Sequence, residues 1–457
     1  METGAATDLA ALAAALGAAT ALTSARRAFL LAGLAALAAG ELALGLRLLS
    51  AEEQDVLLDA VSRPPVVTGA LAVLVAFTLA LVRFPSIAPV ALVVAAPFRL
   101  PVDVGDERVF LLLPLYGVLA AAALALVVRV LRGERLAAPP RIVAVPAALF
   151  VVLAGASMLW AADARAASID LVFFFFPFAL LFAVVVRSPL RGWTPGALAA
   201  ALVVLASAFS VVGIAQLWTD DLPLARDVEV ANAYTSYERV TSLFHDPSIY
   251  GRHLALAIVV LVVLLWLGRL SALVATALIA LLFAGLFVSY SQSSMVALFV
   301  AVLGVSLLAA DRRARKILLA SSVALALVCV AVVAAIARDE SLRRVTSGRS
   351  DLVANTVSVI GAHPLVGVGI GGEEKASREE AKRRGKLAKP SHTTPLTVAA
   401  ELGLVGVAAY VLLLVGAARA LVLLRPRAAA LATGIAGVLL VLVTHSVFYS
   451  GFFEDPL

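Results

Sequence analysis

This chain is a succession of apolar runs, each about as long as a bilayer core is thick. A helix needs roughly 20 mostly apolar residues to cross that core. Runs that reach or approach this length occupy 28–48, 65–83, 109–131, 143–161, 168–187, 195–217, 250–268, 270–290, 293–310, 315–336, 396–423 and 428–449. Segment 85–99 is shorter and carries Pro85, Pro89 and Pro97, which predicts a broken or tilted helix. Residues 8–23 form a weak Ala-rich helix whose place in the membrane stays open. With 62% hydrophobic and 14% charged residues over 457 positions, the solvent of this chain is lipid. The expected fold is all-α, a polytopic bundle of about 12–14 transmembrane helices with a large extracytoplasmic loop that contains short helices.

The net charge of +6 does not point to nucleic acid, because most Arg and Lys lie in short loops between spans. There they set orientation. Arg26-Arg27, Arg132 to Arg141, Arg187 to Arg191, Asp311 to Lys316 and Arg419 to Arg427 are short and basic, so the expectation puts them in the cytoplasm. The alternating loops are longer or more acidic and are expected outside. Residues 1–194 read as N-terminal spans and 195–457 as the region with motifs, with outer loops at 218–248 and 337–391. The second loop predicts a helix near Asp351 to Ile360 capped by Ser350, then a charged helix near Glu373 to Arg384. The single cysteine, Cys329, excludes a disulfide and a cysteine metal cluster. The start has no cleavable-signal pattern, and a further span after Leu457 is a possible continuation.

Polar residues gather on the expected outer side. His392 closes the second loop, ahead of Pro395, which suits a first helical position with Thr393 or Thr394 as cap. A helix N-terminus disfavours imidazolium, so His392 should stay neutral and able to accept a proton. Gly403 and Gly406 follow, at a spacing that suits close helix packing. A loop histidine before a packing helix would look the same. Arg349, beside Ser350, could clamp a pyrophosphate bidentately or be a solvated loop arginine. In the first loop Arg239 precedes Thr241, His245 and Asp246-Pro247, and Arg252 lies at the mouth of the next span. A group like Arg252 faces a cavity or snorkels to the interface. The run Val366-Gly367-Val368-Gly369-Ile370-Gly371-Gly372 has no βαβ context, so it is either a phosphate-cradling loop or a plain turn. Ser291-Gln292-Ser293-Ser294 and His445 are polar groups at membrane depth. Walker A, HExxH, GxSxG and DxD-type patterns are absent from the sequence, so neither a metal nor another cofactor is expected.

Taken in order, Asp246-Pro247, the Ser-Gln-Ser-Ser helix start, Ser347-Gly348-Arg349, His363-Pro364-Leu365-Val366-Gly367-Val368-Gly369, and His392 with Gly403 and Gly406 resemble the O-antigen ligase and O-antigen polymerase superfamily of bacterial membrane glycosyltransferases. The resemblance covers roughly residues 195–457 and is most specific from Ser347 to Gly406. It implies transfer of a glycan from undecaprenyl pyrophosphate to an acceptor hydroxyl on a glycan, lipid or protein. The reaction would run on the outer face of the cytoplasmic membrane, without metal or nucleotide. It further implies that His392 is the base and that Arg349 and Arg239 bind the donor diphosphate. Three departures stand out: Ser293 is followed by Ser294 where relatives often have Arg, Thr393 follows the histidine, and relatives commonly have one more span after Glu454-Asp455-Pro456. Arg252 is the expected substitute for the missing phosphate contact.

Ligase is the leading reading, and a polymerase of the same superfamily differs from it only in acceptor. From another class, a transporter or flippase of an amphiphilic anion would also need many spans and the proline-broken segment. It predicts ionisable groups near the midplane and an internal repeat; no clear repeat is visible and the charges cluster at one face. A non-catalytic assembly factor would need neither His392 nor Arg349.

Overall fold

A computed structural model describes residues 4–49, 54, 62, 64–104, 107–134, 136–137, 139–219, 222, 224–233, 238–339, 349–383 and 393–449. The chain is a polytopic helical bundle. Among the described residues, ten helices are long and apolar enough to cross a membrane, or eleven counting one bent pair. The N-terminal part comprises α1 (Ala5–Thr23), α2 (Arg27–Leu48), α3 (Pro64–Arg83), α4 (Ala88–Ala95), α5 (Leu113–Leu131), α6 (Arg141–Ala156), α7 (Ala164–Asp170) and α8 (Phe176–Arg187). Then come α9 (Thr194–Thr219), α10 (Arg226–Asn232), α11 (Pro247–Trp266), α12 (Ala272–Val288), α13 (Gln292–Ala309) and α14 (Arg312–Asp339). The last four are α15 (Arg349–Ala362), α16 (Glu373–Arg383), α17 (Thr394–Leu424) and α18 (Ala429–Ser446).

Two expectations shift and a third holds. Residues 8–23 do join the bundle, because α1 is small rather than weak. A Cβ on Gly33 of α2 would come within 2.8 Å of Gly17 O, and one on Gly40 within 2.7 Å of Ala14 N. Glycine and alanine thus let the two backbones touch, which is how helices associate where lipid is as apolar as leucine. Hydropathy undervalues such a helix because its asset is the absence of side chain. Second, the expected span 109–131 starts later. Strands β1 (Leu100–Val104) and β2 (Glu107–Leu111) form an antiparallel hairpin before α5, an exception to the all-helical pattern. Third, the proline segment is broken as expected: Val67–Arg83 and Pro85–Ala95 meet at 104°.

Buried arginines hold one end of the bundle together. Arg187 donates to Ala21 O at 2.7 Å and Ser24 O at 2.8 Å, satisfying carbonyls that the end of α1 leaves unpaired. Arg129 pairs with Glu134 at 2.7 Å, and Arg27 donates to Gly133 O.

The feature that positions the opposite end is a break in α17. Gly403 has φ 62° and ψ −162°, a conformation open essentially only to glycine. The sequence reading placed Gly403 inside a packing helix; it instead divides that helix in two. The glycine-rich turn 363–372 occupies the gap. Val368 N donates to Ala400 O and Gly369 N to Glu401 O, both at 2.9 Å, while Leu404 N donates to Pro364 O at 2.9 Å and Val405 N to Leu365 O at 3.3 Å. Every one of those freed groups would otherwise be costly in a lipid environment. The other side of the turn seats on 157–170: Ala162 N donates to Val368 O at 2.8 Å, Ile370 N to Ser157 Oγ at 3.0 Å and Trp160 Nε1 to Val366 O at 3.2 Å. Its amides are therefore committed to protein, and the phosphate-cradle reading gives way to a structural one.

The short helices also differ in detail. α15 already begins at Arg349, so Ser350 lies inside it rather than capping it. On α16, Glu380 accepts from Ser358 of α15 at 3.1 Å, and Arg378 pairs with Glu374. Arg384 and the side chain of Arg383 lie outside the described residues.

Gly403→Ala should be strongly destabilising, because a Cβ there overlaps Leu365 and Val366 backbone in a backbone region closed to alanine. We expect a loss of more than about 2 kcal/mol, read as a thermal shift of several degrees in detergent. Gly117→Ala, in α5 with nothing within 4 Å of the added carbon, should be neutral or stabilising in the same assay. Equal transitions for the two variants would refute the account of the break.

Candidate active site

The polar residues of the motif region meet at the end of the bundle where α11, α13 and α17 begin and where α9, α12 and α18 finish. α11 is the most enclosed of the candidate spans. Asp246 caps it, accepting from Ser248 N at 2.5 Å, with Pro247 in its first turn. This fixes Arg252 in the second turn, where it is fully buried. Its guanidinium carbon stands 5.9 Å from the centre of the Tyr449 ring.

Tyr449 follows the end of α18, where Phe448 N bonds back to His445 O at 3.0 Å. His445 is also fully buried; its ring lies 5.2 Å from that of Tyr449 and its Nε2 is 3.3 Å from Ser293 Oγ. Ser293 belongs to a serine cluster at the start of α13. Ser291 Oγ donates to Ser294 Oγ at 2.7 Å and caps the helix by accepting from Ser294 N at 3.4 Å. Ser294 Oγ reaches across to Ser248 O at 3.2 Å. α11 and α13 cross there at closest range, since a Cβ on Gly251 would lie 2.8 Å from Ser294 Oγ.

Arg239 approaches from the segment between α10 and α11. Asn232 holds it in place: Arg239 N donates to Asn232 Oδ1 at 3.1 Å and Asn232 Nδ2 to Arg239 O at 3.0 Å. Arg239 Nε then donates to Ser289 O at 3.4 Å, just ahead of the serine cluster. Gln216 steadies the same loop, accepting from Ser242 N at 2.7 Å and donating to Ser242 O at 3.0 Å. Among the described residues, two non-glycine residues have left-handed backbone, Ser242 at φ 54° and Tyr290 at φ 51°, one close to each partner of this contact. Such strained residues concentrate at sites that constrain geometry for use.

Thr394 supplies the link to the histidine segment. Of the two expected caps, Thr393 occupies the position, without a side-chain cap bond, and the fully buried Thr394 hydroxyl donates to Tyr449 O at 2.7 Å. His392 itself lies outside the described residues, as does the side chain of Arg349, whose backbone opens α15.

Of the four expected site residues, the structure places Arg239 against Ser289 and Arg252 against Tyr449, at the end of the bundle where α17 begins. Tyr449, Ser289, Gln216 and the Thr394 hydroxyl were missed. Gln216 carried a readable signal, a side-chain amide inside an apolar span. Tyr449 carried little, being one aromatic residue past a helix end.

The O-antigen ligase family model matches residues 277–411, which include Arg349, His392 and the break in α17 at Gly403 and exclude Arg239, Arg252 and His445. No curated protein matches the chain.

Ser294→Arg should misfold, because the contact with Gly251 leaves no room and the buried charge gains no partner on α11. We expect at least a roughly threefold loss of monodisperse protein on size exclusion, while Ser293→Ala elutes like the wild type. A well-behaved Ser294→Arg protein would show that the crossing is looser than described.

Proposed function

We propose that this chain, whose residues 277–411 belong to the O-antigen ligase superfamily, transfers a glycan from undecaprenyl pyrophosphate to an acceptor hydroxyl at the outer face of the cytoplasmic membrane. Members of that family are glycosyltransferase-like enzymes of the membrane. The observation that carries the reading is the meeting of Arg239, Arg252 and the Thr394 end of the matched region at one end of the bundle.

The chemistry needs two things. A sugar hydroxyl needs a positioned base, and His392 takes that role, accepting the proton as the oxygen attacks the anomeric carbon. The bond to the lipid pyrophosphate breaks in the same transfer, and the departing diphosphate needs its negative charge met. Arg349, Arg239 and Arg252 can supply that charge without a metal. Arginine suits the task because its fork matches two phosphate oxygens at once. A ligase-type acceptor is preferred, and a second lipid-linked repeat would make the protein a polymerase instead.

The test is transfer by purified protein in EDTA, from undecaprenyl-pyrophosphate glycan to separately supplied acceptors. His392→Ala should fold but lose transfer by about 100-fold or more. Arg349→Lys should lose at least about tenfold, since lysine cannot form the bidentate contact. Both variants at the wild-type rate would refute the assignment, and donor that binds without being consumed by any acceptor would favour transport.

A further inference from the structure

We propose that Thr394 is a positioning residue of this transfer, tying the start of α17, to which His392 is joined, to the support that Tyr449 provides. The inference rests on the reading of His392 as the base.

The geometry is compact. Thr394 Oγ1 donates to the carbonyl of Tyr449 at 2.7 Å, and the ring of the same tyrosine faces the Arg252 guanidinium at 5.9 Å. One residue therefore touches the element that leads to the base and the cation assigned to the donor. Tyr449 is itself held: its ring lies 5.2 Å from His445, whose Nε2 contacts Ser293 Oγ at 3.3 Å, so the support is tied to α13 as well as α18.

The hydroxyl acts at short range. Thr393 is extended, with φ −137° and ψ 119°, and its carbonyl is held by Thr397 N at 3.0 Å and Thr397 Oγ1 at 3.2 Å. Two peptide links separate residue 392 from Thr394, so chain connectivity keeps their Cα atoms within about 7 Å. An anchor that close sets where the base enters the site. Helix stability alone does not require it: Pro395 already suits the first turn, and a threonine at a helix start commonly bonds its own helix. Here the hydroxyl leaves its helix for the end of α18.

A misplaced base slows the chemical step and leaves donor affinity alone, and an ångström of misplacement can cost about 100-fold. The experiment compares Thr394→Val, which keeps the shape and removes the hydroxyl, with Thr394→Ser, which restores the hydroxyl. Membrane vesicles from cells lacking the gene are supplied with each variant at equal abundance and with undecaprenyl-pyrophosphate glycan at graded levels. His392→Ala runs alongside.

The expected result is that kcat of Thr394→Val falls at least about tenfold while KM for the donor stays within about twofold, with Thr394→Ser within about threefold of wild type. If Thr394→Val does not accumulate, Thr394→Ala replaces it under the same criteria. Wild-type kcat without the hydroxyl, or a serine variant as slow as the valine one, overturns the positioning role while His392→Ala remains inactive. Full transfer by His392→Ala overturns the base assignment, and the positioning role with it.

Discussion

The architecture depends on a helix that stops being a helix. A break inside a span frees two carbonyls and two amides in surroundings with no water to take them up. Each such group left unpaired costs a few kcal/mol, on the order of 1–3. The turn 363–372 meets all four, which makes the break tolerable. Because the turn also seats on Ser157, Trp160 and Ala162, α17 is referenced to the N-terminal helices as well as to α15. The half-helix from Thr394 to Leu402 therefore has a fixed direction.

Glycine and serine do at close quarters what long side chains do elsewhere. Gly17, Gly33 and Gly40 bring α1 and α2 into backbone contact, and Gly251 brings α11 onto the serine cluster of α13. Tyr250, one residue before Gly251, points the other way: a Cβ on Gly285 would lie 2.6 Å from its hydroxyl oxygen. α11 is thus packed on both faces by small residues. That enclosure is why Arg252 can sit fully buried in its second turn while meeting an aromatic face and not lipid.

The membrane class and the run of spans were plain from the apolar run lengths, since 20 residues of Leu, Val and Ala leave little choice. The broken segment was legible too, because Pro85 and Pro89 announce it. Ala5–Thr23 was not, because hydropathy measures transfer from water, whereas this helix is held by closeness of approach. The glycine turn stayed open for a different reason. A run of alternating glycines reads equally as a nest for an anion or as a plug for another backbone, and only the partner decides. At the site, Arg239 and Arg252 were legible as charges beside span ends. The contact of Arg239 with Ser289 and of Arg252 with Tyr449 was not, since each pair is separated along the chain by whole helices.

The same geometry explains why position 294 is small: Ser294 is fully buried under Gly251 and its hydroxyl donates to Ser248 O. A long cationic side chain has no exit from that crossing. The neighbouring cation comes from the opposite partner of the same contact, since Arg252 follows Gly251 directly. Positive charge at this end of the bundle is therefore held by α11 and not by α13. The cost is a demand on α18, whose last residues supply the aromatic face that a buried arginine needs. Close packing at Gly251, the serine cluster and the Tyr449 support are therefore one coupled solution, in which altering any member shifts the burden to the other two.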